Sequence, residues 1–501
     1  MPVCVTVLPD GKVISAEKGE NLLCVLRRGN LAPDAPCGGN GKCGKCIVYI
    51  ENQPVASCQY LVTRDVTVRL KKELDNTRIL VDGIGANVTP NPLRDGPLAA
   101  IDIGTTTVVC YILNDRGELL SASSAINPQQ SFGADVISRI QCALSGQMKA
   151  LTELIQGTVE KILIDACNKA HIRAGDIGVI SVVGNPCMQQ LFLGILPDNL
   201  ARIPFSPVLK EITVQNAADF VPVCANASMI TVPDISGYVG ADTIGCVLAT
   251  EIDRSSTMSL IVDIGTNGEM VLGSSNGMIA CATAAGPALE GARIRFGMRG
   301  TDGAIDHVFV KNGSLSVHVI GNVPARGICG SGLIDAIAVL LEQGLINERG
   351  RLSERKENLP LSECLGEAEG QRIFSLTDDV YITQDDIRQV QMAKGAIAAG
   401  IDLMAARLGI AVADIEQILL AGAFGTYIRP ESACRIGLLP AALLNRIKSI
   451  GNAAGSGAQR IACSKSEMEK AETLAKKIEF IELAADPNFQ RTFARNMRFC
   501  L

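Results

Sequence analysis

Four closely spaced cysteines have the pattern of an iron–sulfur site. Three of them lie in the glycine-rich segment Cys37–Cys46 (CGGNGKCGKC), and the fourth is Cys58. Thiolates hold the irons of a [2Fe–2S] cluster, and glycines let the backbone wrap closely and direct its N–H groups at the sulfurs. A zinc site and a group of unligated thiols are the alternatives, but zinc knuckles usually contain two short C-x2-C pairs and this segment contains one. The spacing therefore predicts an electron-carrying cluster whose ligands are Cys37, Cys43, Cys46 and Cys58.

A short pattern that occurs twice could bind the phosphates of a nucleotide. Residues 99–109 and 260–271 are each predicted to form an apolar strand that ends in Asp-x-Gly-Thr, followed by a second strand. At such a hairpin tip, glycine permits close approach, hydroxyl and N–H groups bind phosphate oxygens, and the aspartate positions Mg²⁺ or its waters. One copy alone is often an ordinary turn, but two copies across a cleft would clamp a phosphate chain. The predicted Mg²⁺ positioners are Asp102 and Asp263, and the predicted phosphate ligands are Gly104, Thr105, Thr106, Thr107, Gly265, Thr266 and Asn267.

The doubled hairpin resembles that of the superfamily that contains acetate and sugar kinases, Hsp70 and actin. A late glycine motif at residues 419–425 is similar to the adenosine-binding motif of that superfamily and follows a predicted strand at 417–420. Residues 327–336 and 234–242 resemble its two connecting segments. The sequence has no P-loop motif (GxxxxGKS or GxxxxGKT), so ATP is not expected to bind through one. The resemblance implies ATP as the ligand, with Gly422, Ala423 and Gly425 against the adenosine.

The composition argues against several classes of partner. The 501 residues have a net charge of −6, with 46 Lys and Arg and 52 Asp and Glu mixed along the chain, and no Trp. Without a basic tract, nucleic acid is not an expected partner. No stretch reaches the roughly 18 uninterrupted apolar residues of a membrane span, and the first residues lack the basic region of a signal peptide. With 18 cysteines in a long chain, this predicts a protein of the reducing cytoplasm.

The predicted elements place the cysteines in a small N-terminal domain. Strands are expected at residues 3–8 and 12–15 around a turn at 9–11, a helix at 20–28, and strands at 46–50 and 66–70. This order resembles that of the β-grasp ferredoxins. The five-residue gap between the first two cysteines resembles the adrenodoxin-like variant of that fold.

The remaining chain has the pattern of an α/β protein. From Leu98 onward, long apolar strands alternate with Ala-rich helices, which is typical of sheets covered on both faces. Residues 82–97 contain three prolines and three glycines without an apolar period, which predicts a flexible linker. We therefore predict an α+β ferredoxin-like β-grasp domain at 1–80, a linker at 81–97, and an α/β actin-like ATPase domain whose duplicated (RNase H-like) subdomains span 98–255 and 256–501.

The combination of a ferredoxin domain with this ATPase fold resembles the reductive activators of corrinoid proteins. Residues 127–140, 184–194 and 285–292 are also similar to that family. Taken alone, the second stretch could be a strand-to-helix turn with Met188 buried, and the third a helix start that needs small residues. Four arginines could be surface or ion-paired charges or could face the nucleotide or a partner: Arg139, Arg293, Arg295 and Arg299.

The resemblance implies an ATP-dependent activator that returns the cobalt of a corrinoid protein from Co(II) to Co(I). A plant-type cluster has a reduction potential of about −400 mV, which makes it a poor electron donor for that step. For a one-electron transfer, each difference of about 59 mV between the potentials of donor and acceptor changes the equilibrium constant tenfold. ATP would drive the transfer by changing which conformations are populated. The implied partners are a corrinoid protein of a methyltransferase system, an upstream electron donor and a second copy in a homodimer. The three histidines, His171, His307 and His318, lie in no D-x-H-x-x-G arrangement, so the corrinoid is expected on the partner.

Three other functions share part of the pattern. The first is an ATP-dependent activator of another low-potential enzyme, such as a radical dehydratase; the activators of that kind bridge a [4Fe–4S] cluster between subunits and carry no ferredoxin domain. The second is a small-molecule kinase with an appended ferredoxin, which would form a phosphorylated product in proportion to ADP. The third is a redox or nucleotide sensor that binds ATP without turnover.

Overall fold

The N-terminal residues form a mixed sheet with one helix packed on it. The structure is a computed structural model that describes residues 2–70, 80–85, 88–265, 267–355 and 359–499. The first elements are β1 (Val3–Leu8), β2 (Lys12–Ala16), β3 (Glu20–Asn21), α1 (Leu22–Arg28), β4 (Ile47–Ile50), β5 (Gln53–Ala56), β6 (Leu61–Val62) and β7 (Val66–Leu70). The main sheet has the order β2-β1-β7-β4-β5, with β1 parallel to β7. Alternate residues of β1 and β7 pack against the buried face of α1, which gives the arrangement expected of a β-grasp domain.

The helix of this domain begins two residues later than the sequence pattern predicts. The Asn21 side chain accepts a hydrogen bond from the N–H of Leu23 and so caps the helix. Glu20 pairs instead with Val62 in a short antiparallel ladder. The four apolar positions of the predicted helix, Leu22, Leu23, Val25 and Leu26, are all helical and buried, and the two residues before them are a strand residue and the capping residue.

The segment that follows lies against residues 98 onward, the predicted ATPase part of the chain. The Tyr111 hydroxyl donates to Val81 O at 2.9 Å, and the N–H of Asn452 donates to Asp82 O at 2.8 Å. Asn91 donates to Cys463 O and accepts from the N–H of Lys465. The expectation of a flexible tether at 81–97 is therefore wrong for the residues described there, because their backbone groups are bound and their apolar side chains are packed.

The first half of the ATPase part is a six-stranded sheet with helices on both faces. Its strand order is β10-β9-β8-β11-β13-β12. Its elements are β8 (Leu98–Ile103), β9 (Thr107–Leu113), β10 (Leu119–Ile126), α2 (Val136–Cys142), α3 (Met148–Lys169), β11 (Val179–Gly184), α4 (Pro186–Leu193), β12 (Thr213–Asn216), β13 (Ser228–Thr231) and α5 (Ala241–Thr250).

The second half repeats this plan and adds small sheets. Its large sheet has the order β24-β23-β14-β15-β16-β25. Its elements are β14 (Ser259–Ile264), β15 (Gly268–Ser274), β16 (Gly277–Thr283), β17 (Ala304–Lys311), β18 (Ser314–Val319), β19 (Gly327–Ile328), α6 (Gly330–Glu342), β20 (Leu365–Ala368), β21 (Gln371–Ser375), β22 (Tyr381–Thr383), α7 (Gln384–Leu408), β23 (Gln417–Ala421), α8 (Gly422–Tyr427), α9 (Pro430–Arg435), β24 (Ile447–Gly451), α10 (Ala453–Cys463), α11 (Lys465–Lys477), β25 (Glu479–Phe480) and α12 (Phe489–Asn496).

The two large sheets show the duplication that the sequence predicts. In each sheet, three antiparallel strands in chain order are followed by strands parallel to the first of them. Helices α5 and α10 lie between the sheets, and their apolar side chains form one core with both. The hairpin loops after β8 and β14 therefore meet at the same edge of the molecule, where they face each other across a cleft.

Helix α10 of the second half also packs on the first sheet. It packs against β8 and β11 of the first sheet as well as against α5. The Ser181 hydroxyl, which is fully buried, donates to Ala458 O at 2.6 Å and ties β11 to this helix. In the part of the chain that the structure describes, no helix is long and apolar enough to cross a membrane.

Candidate functional site

The two predicted phosphate loops line one cleft of about 350 Å³ between the sheets. The fold brings together most of the residues expected to bind nucleotide: Asp102, Gly104, Thr105, Thr106, Thr107, Asp263, Gly265, Asn267 and Gly422. Thr266 lies outside the described residues. Ala423 belongs to α8, and Gly425 packs against Leu420 of β23 and is not among the residues that line the cleft.

Gly422 is required by the geometry at the start of α8. Its φ is +79°, and a Cβ atom there would lie 2.5 Å from Asp263 Oδ1. Since a side chain would both strain the backbone and collide with that carboxylate, glycine allows the late motif to approach the second phosphate loop. Phe424 and Tyr427 of the same helix line the cleft beside it.

The cleft floor holds more carboxylates than the two that the sequence motifs indicate. Asn452 Nδ2 donates to Asp102 Oδ2 at 2.9 Å. Burial raises the pKa of Asp102 to about 7, and burial together with the charges of Asp242, Asp102 and Glu290 raises the pKa of Asp263 to about 7. Such carboxyls hold protons near neutral pH until a cation replaces the proton.

Asp242 and Glu269 complete this acidic floor. Asp242 lies in the first turn of α5, and burial raises its pKa to about 6. Glu269 sits directly opposite Asp263 in the β14–β15 ladder, and burial and the nearby carboxylates raise its pKa well above the ordinary value. Oxygen-rich surroundings of this kind suit Mg²⁺. The hairpin register after Asp263 is the sequence feature that could have revealed Glu269.

Side chains around the first phosphate loop fix its backbone. Asn185 Nδ2 donates to the Thr105 hydroxyl at 3.0 Å, and Asn127 Nδ2 donates to Gly104 O at 2.9 Å. Asn185 also caps α4 by accepting from the N–H of Met188, which is fully buried. Residues 184–194 therefore form the strand-to-helix turn with Met188 buried, and this turn also supplies a polar group, that of Asn185, to the cleft.

Arg139 is a buried support of the same loop. None of its side chain is exposed, and it donates to Thr105 O at 2.6 Å, Gly133 O at 3.0 Å and Gln129 Oε1 at 3.2 Å. Burial lowers the pKa of its guanidinium to about 10. The interpretation of Arg139 as a surface charge is wrong. Of the other three arginines, Arg293 is exposed, Arg295 pairs with Glu369 at the surface, and Arg299 lines the cleft.

His307, for which the sequence motifs predict no role, also lines the cleft. His307 Nδ1 is 3.0 Å from Asp335 Oδ2, and Arg429 Nε donates to Asp335 Oδ1 at 2.9 Å. Asp335 is 1 % exposed, while the imidazole reaches the cleft beside Ser331. The buried carboxylate therefore fixes the orientation of the ring.

The four predicted cluster cysteines lie as two pairs. Cys43 Sγ is 3.3 Å from Cys37 Sγ, and the thiol of Cys58 contacts that of Cys46. Burial opposes ionisation of Cys37, but hydrogen bonds from the Cys43 thiol and from neighbouring backbone N–H groups lower its pKa to about 7. Four thiolates are the number that a cluster of two irons takes. Among the described residues, no group of three or more His, Cys, Asp or Glu has the arrangement of a site for a metal ion.

The segment that carries the first three of these cysteines, residues 34–46, is called the cysteine loop here, and it packs on the rim of the cleft. Arg27 Nε, from the adjoining helix, donates to Ser131 O at 2.8 Å, and its guanidinium lies 4.7 Å from the centre of the Phe132 ring. Lys45 Nζ donates to Gly297 O at 3.2 Å. Asp34 accepts from Arg299 Nη2 at 2.7 Å. The cysteine loop and the adjoining helix together thus contact both halves of the ATPase part close to the phosphate loops.

Duplicated sheets with an acidic, glycine-lined cleft between them define residues 98 onward as an ATPase domain of the actin-like class. Two family models cover this part of the chain. One, described as the RACo middle region, matches residues 98–255, and the other, the C-terminal ASKHA domain of RACo, matches residues 257–500. The predicted fold class is therefore confirmed.

Similar proteins extend this result to the whole chain. The corrinoid activation enzyme RamQ of Eubacterium limosum is 39 % identical over 435 residues, which cover 84 % of this chain and 72 % of RamQ. A reductase of a methylated-amine-specific Co(II) corrinoid protein from Methanosarcina barkeri is 26 % identical over 69 % of this chain and 66 % of its own length. A solved structure of a reductive activator for a corrinoid iron–sulfur protein superposes with a TM-score of 0.72 at 26 % identity, over 99 % of this chain and 98 % of that one. The chain belongs to the family of reductive activators of corrinoid proteins.

Proposed function

We propose that this protein uses ATP to drive an electron from a [2Fe–2S] cluster to a partner corrinoid protein and so returns Co(II) to Co(I). The observation that carries this proposal is the contact between the cysteine loop and the rim of the nucleotide cleft. The cysteine loop and the ATPase part are in contact at the rim of the cleft, where nucleotide binding would change the surroundings of the loop. A ferredoxin that passed electrons downhill would need no such neighbour.

We assign the cluster to the thiolates of Cys37, Cys43, Cys46 and Cys58. When bound, this group supplies one-electron transfer at low potential. The hydrogen bonds that lower the pKa of Cys37 favour the thiolate form of this one cysteine, whereas burial raises the pKa of Cys43 and Cys58, so iron would have to displace their protons. Positive φ values at Gly38, Gly39, Gly41 and Gly44 let the loop turn tightly around the sulfurs.

We assign ATP and Mg²⁺ to the cleft. The carboxylates of Asp102 and Asp263 would position Mg²⁺ or its waters, and Gly104, Gly265 and the polar groups of both loops would bind phosphate. Adenosine would lie against α8, where Gly422 gives close access. The polar groups assigned to phosphate are those of Thr105, Thr106, Thr107, Thr266 and Asn267. Gly422 and Ala423 are the residues assigned to adenosine, whereas Gly425 packs against Leu420 and is left out of this assignment.

The cellular setting follows from the same proposal. The protein would work in the reducing cytoplasm, take electrons from an upstream donor, and act on the corrinoid protein of a methyltransferase system. A homodimer is the assembly implied by the family resemblance. Neither nucleic acid nor a membrane is assigned as a partner.

A spectroscopic assay tests the proposal. Anaerobically reduced protein is mixed with ATP and candidate corrinoid proteins, and the Co(II) absorption band is followed as it converts to that of Co(I). Conversion should require ATP and should be lost in Asp263→Asn, while Asp165→Asn, an exposed aspartate on α3, serves as the matched control. ATP hydrolysis without conversion of any corrinoid client would refute the proposal, and a phosphorylated small molecule formed in proportion to ADP would indicate a kinase.

A further inference from the structure

The acidic cleft between the two sheets contains one arginine among its described lining residues, Arg299. Among the described residues that line it, Arg299 is the only Lys or Arg. A triphosphate that enters such a cleft needs cations beside it, and a guanidinium presents a planar fork of N–H donors that matches phosphate oxygens. The acidic lining residues are Asp102, Asp242, Asp263, Glu269, Glu290 and Asp306.

Arg299 already has a partner on the cysteine loop. It donates to Asp34 at 2.7 Å, and the two side chains are 26 % and 38 % exposed. Asp34 lies three residues before Cys37 and does not line the cleft. A partly exposed pair of this kind shifts an equilibrium by about fivefold at most, so a phosphate group of higher charge can compete with one carboxylate for this arginine.

Two hydrogen bonds close to the Asp34–Arg299 ion pair should change when this pair breaks. The N–H of Ala134 donates to Pro36 O across the same interface at 3.3 Å, and Lys45 donates to Gly297, two residues before Arg299. The segment around Arg299 therefore touches the cysteine loop on one side and the nucleotide site on the other.

We propose that Arg299 is a shared ligand: Asp34 holds it without nucleotide, and the terminal phosphate of ATP takes it when ATP binds. This inference rests on the proposed function and adds a regulation to it. Transfer of Arg299 removes the ion pair and loosens the cysteine loop on the rim, so ATP frees the loop for its client. Linkage between two binding equilibria is reciprocal. The Asp34–Arg299 ion pair should therefore lower the affinity for ATP by the same factor by which bound ATP lowers the stability of the docked cysteine loop.

Calorimetry on the full chain with its cluster tests the competition directly. The probe is Mg²⁺ with adenylyl imidodiphosphate. Asp34→Asn should tighten binding about two- to fivefold because the competitor is removed, and Arg299→Met should weaken it about tenfold or more. In the double variant, Asp34→Asn should add nothing, since both residues act through one contact. Glu51→Gln, an exposed carboxylate of the same domain, is the matched control and should leave the affinity unchanged.

Hydrogen exchange at Ala134 gives a second readout. The analogue should speed exchange of this amide in the wild-type chain, and Asp34→Asn alone should do the same without nucleotide. Three results would overturn the inference. The first is a change of affinity by Asp34→Asn that persists in the Arg299→Met background, the second is no change of affinity by Asp34→Asn, and the third is slower exchange at Ala134 when the analogue is bound. If the analogue fails to bind the wild-type chain, the proposed ATPase function fails with it, whereas binding without an Asp34 effect refutes the shared ligand alone.

Discussion

The Thr106 hydroxyl donates a hydrogen bond to Glu290 Oε1 at 3.0 Å and so joins the two halves of the ATPase part across the cleft. Thr106 belongs to the loop after β8, and Glu290 lies 184 residues later, beyond the second sheet's third strand. Gln130 Nε2 donates to Thr106 O at 3.1 Å and holds the same residue from behind. The position of the first phosphate loop is thus coupled to the second half before any nucleotide is bound.

Removal of this cross-cleft bond should weaken nucleotide binding. Thr106→Val keeps the shape of the side chain but leaves Glu290 without this donor, and a bond to a charged group contributes about 1.5–3 kcal/mol. We expect the affinity for a non-hydrolysable ATP analogue to fall about tenfold by calorimetry, while Thr106→Ser, which keeps the hydroxyl, stays near wild type. Equal affinities of the Val and Ser variants would show that the bond does not contribute.

Neutralisation of the aspartate in either Asp-x-Gly-Thr motif should abolish hydrolysis. Asp102→Asn and Asp263→Asn remove the charges assigned to Mg²⁺ while leaving the size of each side chain unchanged. Loss of one preorganised electrostatic group commonly costs about 10²–10³ in rate, so the ATPase rate should fall at least a hundredfold. Asp165→Asn should keep full activity, and comparable activity in all three variants would contradict the assignment.

The raised pKa values of Asp102 and Asp263, about 7 each against an ordinary 3.8, predict a pH dependence. Their stabilising contribution is fully present below the unfolded pKa and is lost as pH rises through about 7, because the folded state alone retains the proton in that window. The nucleotide-free chain should therefore unfold at a lower temperature at pH 8 than at pH 5.

The same shift predicts proton release when Mg²⁺·nucleotide binds. Mg²⁺ requires the ionised carboxylates, so protons should leave on binding at pH 6 and far fewer should leave at pH 8.5. Calorimetry in two buffers of different ionisation enthalpy measures the number released. A pH-independent proton count, or the same count in Asp102→Asn, would place the ionisable groups elsewhere.

Substitution of a single cluster cysteine should cause a sharp loss of bound iron. Cys37→Ala or Cys58→Ala removes one of the four thiolates assigned to the cluster, and we expect the visible absorption and the content of iron and sulfide to fall together. Cys4→Ala, an exposed cysteine on β1, is the matched control and should retain both. Retention of two irons per chain in the Cys58 variant would require another fourth ligand.

Local patterns in the sequence were sufficient for the plan of the fold, but not for the whole site. The duplicated Asp-x-Gly-Thr hairpins placed Asp102 and Asp263 correctly at one cleft because a strand-loop-strand unit is local. Asp242 and Glu269 were missed as site residues, since their position depends on helix packing and on ladder register. Contacts between the N-terminal domain and residues 131 and 297–299 join segments more than a hundred residues apart, which no periodicity reveals.

Arg139 shows the same limitation and gives the last prediction. An arginine in a sequence is usually a surface charge, but here four acceptors around it are satisfied by one planar guanidinium: Gly133 O, Gln129 Oε1, Thr105 O and Met188 Sδ. Lysine presents three donors from one point and cannot span these positions. Arg139→Lys should therefore leave buried acceptors unpaired and lower the free energy of unfolding by about 2–3 kcal/mol.

Urea denaturation with and without the ATP analogue separates the two roles of this side chain. Arg139 donates a hydrogen bond to the Thr105 carbonyl, so Arg139→Lys should weaken binding of the analogue. The increase in the free energy of unfolding that the analogue causes should therefore be smaller in this variant than in the wild-type chain. Arg173→Lys, an arginine whose side chain is 86 % exposed, is the control and should change stability by less than about 0.5 kcal/mol. A loss of stability with unchanged stabilisation by the analogue would mean that Arg139 supports the core of the first half without positioning the phosphate loop.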